Sequence, residues 1–309
     1  MKRSTRMMVI LALACLMIPV QVSAQKRKTQ RRGTTTTSRQ VTYPQRDADF
    51  LSNYRLQPIG EFDPESNGHG YNYVTLPAPY FEGHVLKRDM SRKQVTLRQV
   101  SCLQNGITDT EAWFRNNGLD NSEIRYENEA MDEMRPRFRY EFGDYVAISY
   151  GIHYGTTMRV IITDDGQQTL YRAYDFDNFK YAPKGRSGTD QSMGCIKIEG
   201  NIMYVAHTGN GYAKAFQGQT GYISAIDLRT NEILWTSEPL TCNSTFEIVG
   251  NSIICGYGFT DETDYLFVID KYSGQRVQKI FLKKGPEYVV VKGNQVYVRT
   301  YSYDYVFSF

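Results

Sequence analysis

The residues able to do chemistry are few and widely separated. His69, His84, His153 and His207 share no ligand spacing, so a zinc site has no support in the sequence. A nucleophile elbow, a phosphate-binding loop, a dinucleotide fingerprint and a metalloprotease helix motif are all missing. Asp164-Asp165-Gly166 and Asp175-Phe176-Asp177-Asn178 place paired carboxylates beside an amide, a set that suits calcium. The same pattern is ordinary Asx-turn chemistry, which is the favoured reading. No metal and no cofactor are expected.

Cys102, Cys195, Cys242 and Cys255 follow the N-terminal 24 residues, and an even count invites a disulfide framework. The nearest pair argues against one. If Gly250-Asn251 is a hairpin turn, Cys255 faces Phe246, and Cys242 lies four residues further along, about 13 Å away at strand rise. That exceeds disulfide reach. The cysteines are expected to be buried, free and small.

The residue type that recurs at one place is aromatic. His153 and Tyr154, then His207 and Tyr212, then Tyr257 and Phe259, then Tyr301 and Tyr303 all follow the second strand of a repeated hairpin. Gathered on one face around an axis, they would form an amphipathic contact surface suited to a peptide, another envelope protein or a glycan. Packing between sheets is the competing role for the same rings.

The elements that must position these residues are visible as a repeat. Ile198–Val205, Ile248–Cys255 and Val291–Val298 each read as an apolar run, a Gly-Asn turn and a second apolar run, the signature of a tight hairpin. The turns fall 50 and 43 residues apart, inside the range of propeller blades. Phe142–Ile148 is a weaker fourth copy, turning at Gly143-Asp144. A second pair of strands follows each hairpin, clearest at Tyr222–Trp235 and repeated at Leu266–Val277, with a degenerate version at Val160–Tyr171.

The shared pattern, apolar-Ile-Asp-x-x-Thr/Ser-Asn/Gly-x-x-Leu-Trp, resembles the pyrroloquinoline-quinone-like (PQQ-like) repeat β-propellers. Their blades carry a strand, an Asp, a turn and a strand ending in Trp. The likeness covers about residues 137–309 and is densest at 221–277. It implies an all-β propeller of about five four-stranded blades, with six as the alternative count. Quinone-dependent dehydrogenases of this fold would need adjacent cysteines, a cofactor-stacking Trp and a calcium site. This chain has no adjacent cysteines and only Trp113 and Trp235, the latter at the packing position of a blade. The resemblance therefore implies a non-catalytic envelope member.

Asp304–Phe309 aligns with Asp264–Ile269, so the chain stops after the third strand of its last blade. An N-terminal strand from 41–62 is expected to supply the fourth and close the ring, because an open edge is a liability. Phe81–Asp89 and Gln94–Val100 are expected as outer strands of a further blade. Thr108–Glu111 reads as a capping box and Gly118 as a stop, giving a partly helical, acidic insertion at about 108–134 on the propeller rim. The alternating aromatics from Tyr301 to Phe309 resemble the closing strand of an outer-membrane barrel. The repeated hairpins are apolar on both faces, however, and a barrel strand would be polar inside.

The N-terminus supplies an address. Lys2, Arg3 and Arg6, the apolar run Met7–Val20 and the small residues of Val22-Ser23-Ala24 form a signal peptide over 1–24, cleaved before Gln25. The apolar run is too short for a bilayer span. Residues 25–40 form a basic, Thr-rich tail expected to be disordered, and 41–309 the propeller domain. Residues 1–40 carry nine Lys/Arg and no Asp/Glu, which leaves 27 basic against 33 acidic residues on 41–309. That acidic domain gives no electrostatic basis for a nucleic-acid partner. The expected function is an exported, monomeric binding or scaffold module in the periplasm or on the cell surface, not an enzyme. The alternative is a propeller hydrolase with carboxylates in its central channel, about 5–10 Å apart as glycoside hydrolysis requires.

Overall fold

The computed structural model describes residues 54–66, 68–106, 109–122, 135–151, 158–181, 191–209, 216–259 and 262–309. The proposed signal peptide and basic tail lie outside them, as do His153, Tyr154, Tyr212 and most of the acidic stretch. No helix among the described residues is long and apolar enough to cross a membrane.

Three short N-terminal strands, β1 (Gly60–Glu61), β2 (Val74–Thr75) and β3 (Arg98–Gln104), precede the helix α1 (Thr110–Asn117). Blade 1 follows as β4 (Arg135–Phe142), β5 (Tyr145–Gly151), β6 (Met158–Asp164) and β7 (Thr169–Asp175). Blade 2 comprises β8 (Gln191–Glu199), β9 (Ile202–Gly209), β10 (Tyr222–Asp227) and β11 (Glu232–Thr236). Blade 3 comprises β12 (Glu247–Val249), β13 (Ser252–Tyr257), β14 (Asp264–Asp270) and β15 (Arg276–Leu282). Blade 4 takes β16 (Pro286–Lys292), β17 (Gln295–Thr300) and β18 (Tyr303–Ser308), then β3 as its outermost strand. Each blade is an antiparallel meander, and the whole is an all-β, propeller-like fold.

The four turns read from the sequence all close hairpins. Phe142 pairs Tyr145, Glu199 pairs Ile202, Val249 pairs Ser252 and Lys292 pairs Gln295. The first turn residue of each is a glycine with φ near +60°, in the left-handed region that other L-residues avoid. The Asp of the repeat has a local task. Asp227 accepts from the Arg229 amide at 2.9 Å and Asp270 from the Tyr272 and Ser273 amides at 2.9 and 3.0 Å, so each caps the turn between third and fourth strands.

The innermost strands β4, β8, β12 and β16 face one another across a shared axis, since Phe138, Lys197, Glu247 and Val289 line a single cavity there. Thr245 ties blade 3 to blade 4: its hydroxyl donates to the Val289 carbonyl at 3.2 Å and accepts from the Val289 amide at 2.8 Å. Trp235 is fully buried between blades 2 and 3. Blade strands are apolar on both faces because each is sandwiched. Ala147, Val160 and Ile162 of blade 1 join the core shared with blade 2, whereas Val146, Ile148 and Ile161 meet Phe62, Tyr71 and Tyr73 on the far side. This two-sided burial is why an outer-membrane barrel does not describe the chain. Tyr305 and Phe307 of β18, the strand that prompted that alternative, are buried between blades 3 and 4.

The described residues form four blades rather than five or six, because residues 54–104 run as a strap and not as a blade. It begins on blade 1, where β1 and β2 both pair β7. It crosses blade 2 at the His84–Thr236 bridge. On blade 3, the Leu86 amide donates to Ser273, and Leu97 and Gln278 exchange two hydrogen bonds of 2.8 and 2.9 Å. It ends as β3, paired with β18 over Arg98–Gln104. The last blade is therefore completed by an N-terminal strand, as its missing fourth strand demanded. The donor is 98–104, not 41–62, and Gly60–Glu61 instead extends blade 1. Phe81–Asp89 and the stretch leading to Leu97 run extended along blade edges and bond to them mainly through side chains and isolated amides. Their extended character was legible, but not their partners.

Helix α1 is capped by Asp109, which accepts the Glu111 and Ala112 amides at 3.3 Å, and stops at Gly118 with φ +59°. Trp113 and Phe114 pack on Tyr288 and Val290, so the helix covers the far face of blade 4 rather than decorating a rim.

Candidate functional site

The expected aromatic ring divides once the side chains are placed. His207 lies two residues before the end of β9 and is buried. Its Nδ1–H donates to Gln191 Oε1 at 2.6 Å, and its Nε2 accepts from the Ser224 hydroxyl at 3.0 Å, which in turn lies 3.0 Å from Thr236 Oγ1. A Ser–His–Gln chain resembles a nucleophile with its base, but both Ser224 and His207 are sealed from solvent and from substrate. Burial pulls the His207 pKa down to about 3, so the ring stays neutral and serves as a hydrogen-bonded core residue.

Tyr257 is likewise a core residue. It ends β13, and its ring occupies space that any side chain at Gly221 would fill. For His207 and Tyr257, then, the expectation of an exposed ligand-contacting ring is corrected: the second strand of each blade runs buried to its last residue. Phe259 is half-buried, with its ring edge-on to Tyr257 at 5.8 Å. Tyr301 is 59% exposed in the turn after β17. Tyr303 is half-buried, with the Lys283 ammonium 4.5 Å from its ring centroid. Phe259, Tyr301 and Tyr303 thus mark the same end of the adjacent blades 3 and 4.

At that end stands a polar group that the aromatic pattern did not reveal. Asp264 opens β14, is 6% exposed and accepts the Phe259 amide. Its Oδ1 has no hydrogen-bond partner among the described residues, and beside it the Tyr257 hydroxyl and the Glu262 carboxylate lie within hydrogen-bonding reach of each other. Gly258 and Gly285 touch backbone to backbone here, and a Cβ at Gly258 would collide with the Asp264 carboxylate. Burial pushes the Asp264 pKa up to about 6; the Lys284 charge opposes this and Glu262 adds to it. Burial also raises the Tyr257 phenol, with Glu262 reinforcing it. The aligned Asp304 of blade 4 is raised by burial as well, but it is committed: Asn105 donates to it at 3.1 Å and Arg299 lies 3.6 Å away. The recurring Asp at the start of a third strand was the available signal for Asp264.

The axis itself offers little room. The cavity between the four inner strands measures about 20 Å³, enough for a water and not for a sugar. Glu247 and Asp120 contribute carboxylates to its lining, and Glu247 is engaged by Lys197 at 3.1 Å. The calcium candidates act as turn caps. Asp164 Oδ1 accepts the Gln168 and Thr169 amides at 2.7 and 2.9 Å, and Asp175 binds the Asp177 amide at 2.6 Å and Arg159 at 2.8 Å. Cys195, Cys242 and Cys255 are buried and free, as expected.

No protein-family model matches the chain, and no curated protein matches it. Solved structures share parts of it. BamB from Moraxella catarrhalis is 13% identical over 56% of this chain and 58% of its own, with a TM-score of 0.32. Kuenenia stuttgartiensis hydrazine synthase is 14% identical over 53% of this chain and 43% of its own, with a TM-score of 0.37. A Bacteroides ovatus protein described as xyloglucan PUL GH43B is 15% identical over 53% of this chain and 34% of its own, with a TM-score of 0.33. The matched part of this chain thus spans less than two thirds of each.

Proposed function

We propose that this chain is an exported binding or scaffold module of the envelope, a non-catalytic relative of the PQQ-like repeat propellers. It engages a protein or peptide through the end of blades 3 and 4. The observation that carries this reading is the buried Asp264 carboxylate, whose Oδ1 has no donor among the described residues, beside Glu262, Tyr257 and the half-exposed Phe259. Buried acceptors without donors are costly, and a ligand that supplies the donors recovers that cost. Two carboxylates beside an aromatic ring select a cationic donor, the ammonium or guanidinium of a Lys or Arg side chain. Tyr301 and Tyr303 supply adjoining contact area. The water-sized axial cavity weighs against a substrate-sized channel between the inner strands.

The test is direct binding of fluorescein-labelled Lys- and Arg-containing peptides at neutral pH, with acidic peptides and a glycan array as comparisons. Asp264→Asn and Glu262→Gln should each weaken the basic peptides roughly tenfold or more, in line with loss of a buried charged hydrogen bond. Tyr301→Ala should weaken them without lowering the melting temperature. Equal affinity of the variants and the parent, or preference for glycans, would overturn the cationic-peptide assignment. Turnover of chromogenic glycosides by the purified protein would overturn the non-enzymatic one. Export is checked by the intact mass of the mature chain, which should begin at Gln25.

A further inference from the structure

Cys242 and Cys255 are closer than hairpin geometry allows. The ladder between β12 and β13 does follow the expected register, with Glu247 opposite Ile254. But β12 begins only at Glu247, and the chain before it does not continue as a strand. It folds back across β13: the Asn243 amide donates to the Gly256 carbonyl at 2.9 Å, and the Ser244 hydroxyl donates to the same carbonyl at 3.2 Å. Cys255 donates to the Thr241 carbonyl at 3.6 Å and Cys242 is hydrogen-bonded by the Gly256 backbone, so each thiol reaches the backbone beside the other. The two thiols are also within hydrogen-bonding reach of each other, and both are completely buried.

We propose that Cys242 and Cys255 are a disulfide-forming pair, oxidised by a disulfide donor while the chain folds. The structure shows the pair reduced. The oxidation balances through thiol–disulfide exchange. The thiolate of one cysteine attacks one sulfur of the donor, whose other sulfur leaves as a thiolate, giving a mixed disulfide. The thiolate of the other cysteine then attacks the sulfur of the first, forming the Cys242–Cys255 bond and expelling the second donor thiolate. The two thiol protons end on the two donor thiolates, and the donor has gained two electrons.

Timing follows from the surroundings. Neither sulfur is accessible in the finished fold, so the donor must act before the core closes. The bridge would fasten the segment leading into β12 onto β13, at the contact between blades 2 and 3.

The experiment refolds the full chain from denaturant in a glutathione buffer, either oxidising or fully reducing, followed by alkylation under denaturing conditions. Both cysteines fall in one tryptic peptide, residues 230–271, which a cut after Glu247 separates into two. After oxidising refolding, the tryptic peptide should be two hydrogens lighter and its halves should stay joined until reduced. Adding glutathione disulfide to already folded, reduced protein should leave both thiols free. Reductant should lower the melting temperature of the oxidised parent by several degrees and leave Cys242→Ser/Cys255→Ser unchanged. Two alkylated thiols at 242 and 255 after oxidising refolding, or a bridge from either to Cys195 or Cys102, would overturn the assignment. The peptide masses need no variant to fold.

Discussion

Asp264→Asn should make the protein more stable at neutral pH and no more stable in acid. The carboxyl is 6% exposed and burial lifts its pKa from 3.8 to about 6. A raised carboxylate binds its proton more tightly in the folded state, so its stabilising contribution is complete below the unfolded value and is lost as pH rises through about 6. At 1.36 kcal/mol per pH unit, the two-unit rise corresponds to about 3 kcal/mol. The edge of the site is open and Lys284 relaxes toward the charge, so about 1–2 kcal/mol is the realistic share. Asparagine keeps the shape and removes the ionisation. Thermal or urea melts of both proteins should therefore diverge by about 1–2 kcal/mol at about pH 8, or about 2–6 °C for a domain of this size, and converge at about pH 4. His207 works in the opposite direction, its stability contribution being lost as pH falls below its unfolded value, but it is present in both proteins and cancels in the difference. A variant less stable than the parent at about pH 8, or a difference that does not change with pH, would refute the argument that Asp264 is held against its own ionisation.

Gly274→Ala should cost about 2–3 kcal/mol in urea unfolding, because φ is +76° and the added Cβ would sit 2.6 Å from the Trp235 ring. Gln278→Ala removes both hydrogen bonds to Leu97, so a loss of about 1–3 kcal/mol is expected, with faster proteolytic cleavage between residues 86 and 97 as the local readout. His207→Gln should flatten the acid limb of stability between about pH 6.5 and 3, since it removes a group that must stay neutral; an unchanged acid midpoint would show that His207 is protonated in the fold.

The blades were legible because each turn is a local decision. Gly200-Asn201 or Gly293-Asn294 between apolar runs fixes a hairpin whatever surrounds it. The missing fourth strand of the last blade was also legible, since an unpaired β18 demands a partner. Which segment answers was not, because β3 finds β18 some 200 residues away and nothing in Arg98–Gln104 encodes that distance. The strap escaped notice for a related reason: an extended run bonded through Gln275, Gln278 and Ser252 side chains carries strand-like composition but no ladder. At the site, Tyr257 closes β13, whereas Tyr301 falls one place beyond the equivalent position, which Thr300 holds, so one ring is buried and the other exposed. Gly221 of the neighbouring blade leaves room for the Tyr257 ring. Cys242 was misplaced because a register rule was carried past the end of β12, where the backbone turns aside.

The strap also dictates when the molecule can finish folding. Residues 54–104 are made before any blade, but blade 3 and the β18 strand they rest on are made last. Blades 1 to 3 can assemble as they appear, each from neighbouring segments. Residues 54–104 must wait, and the closing pairing spans nearly the whole domain, the kind of contact that slows folding. During that interval the edges of β7, β11 and β15 and the free side of β18 are all open to other strands, so the unstrapped intermediate is the state most prone to aggregate. Synthesis that pauses before residue 303 would leave β17 as the open edge and β3 without its partner, whereas completing Tyr303–Ser308 supplies the strand that both pair with.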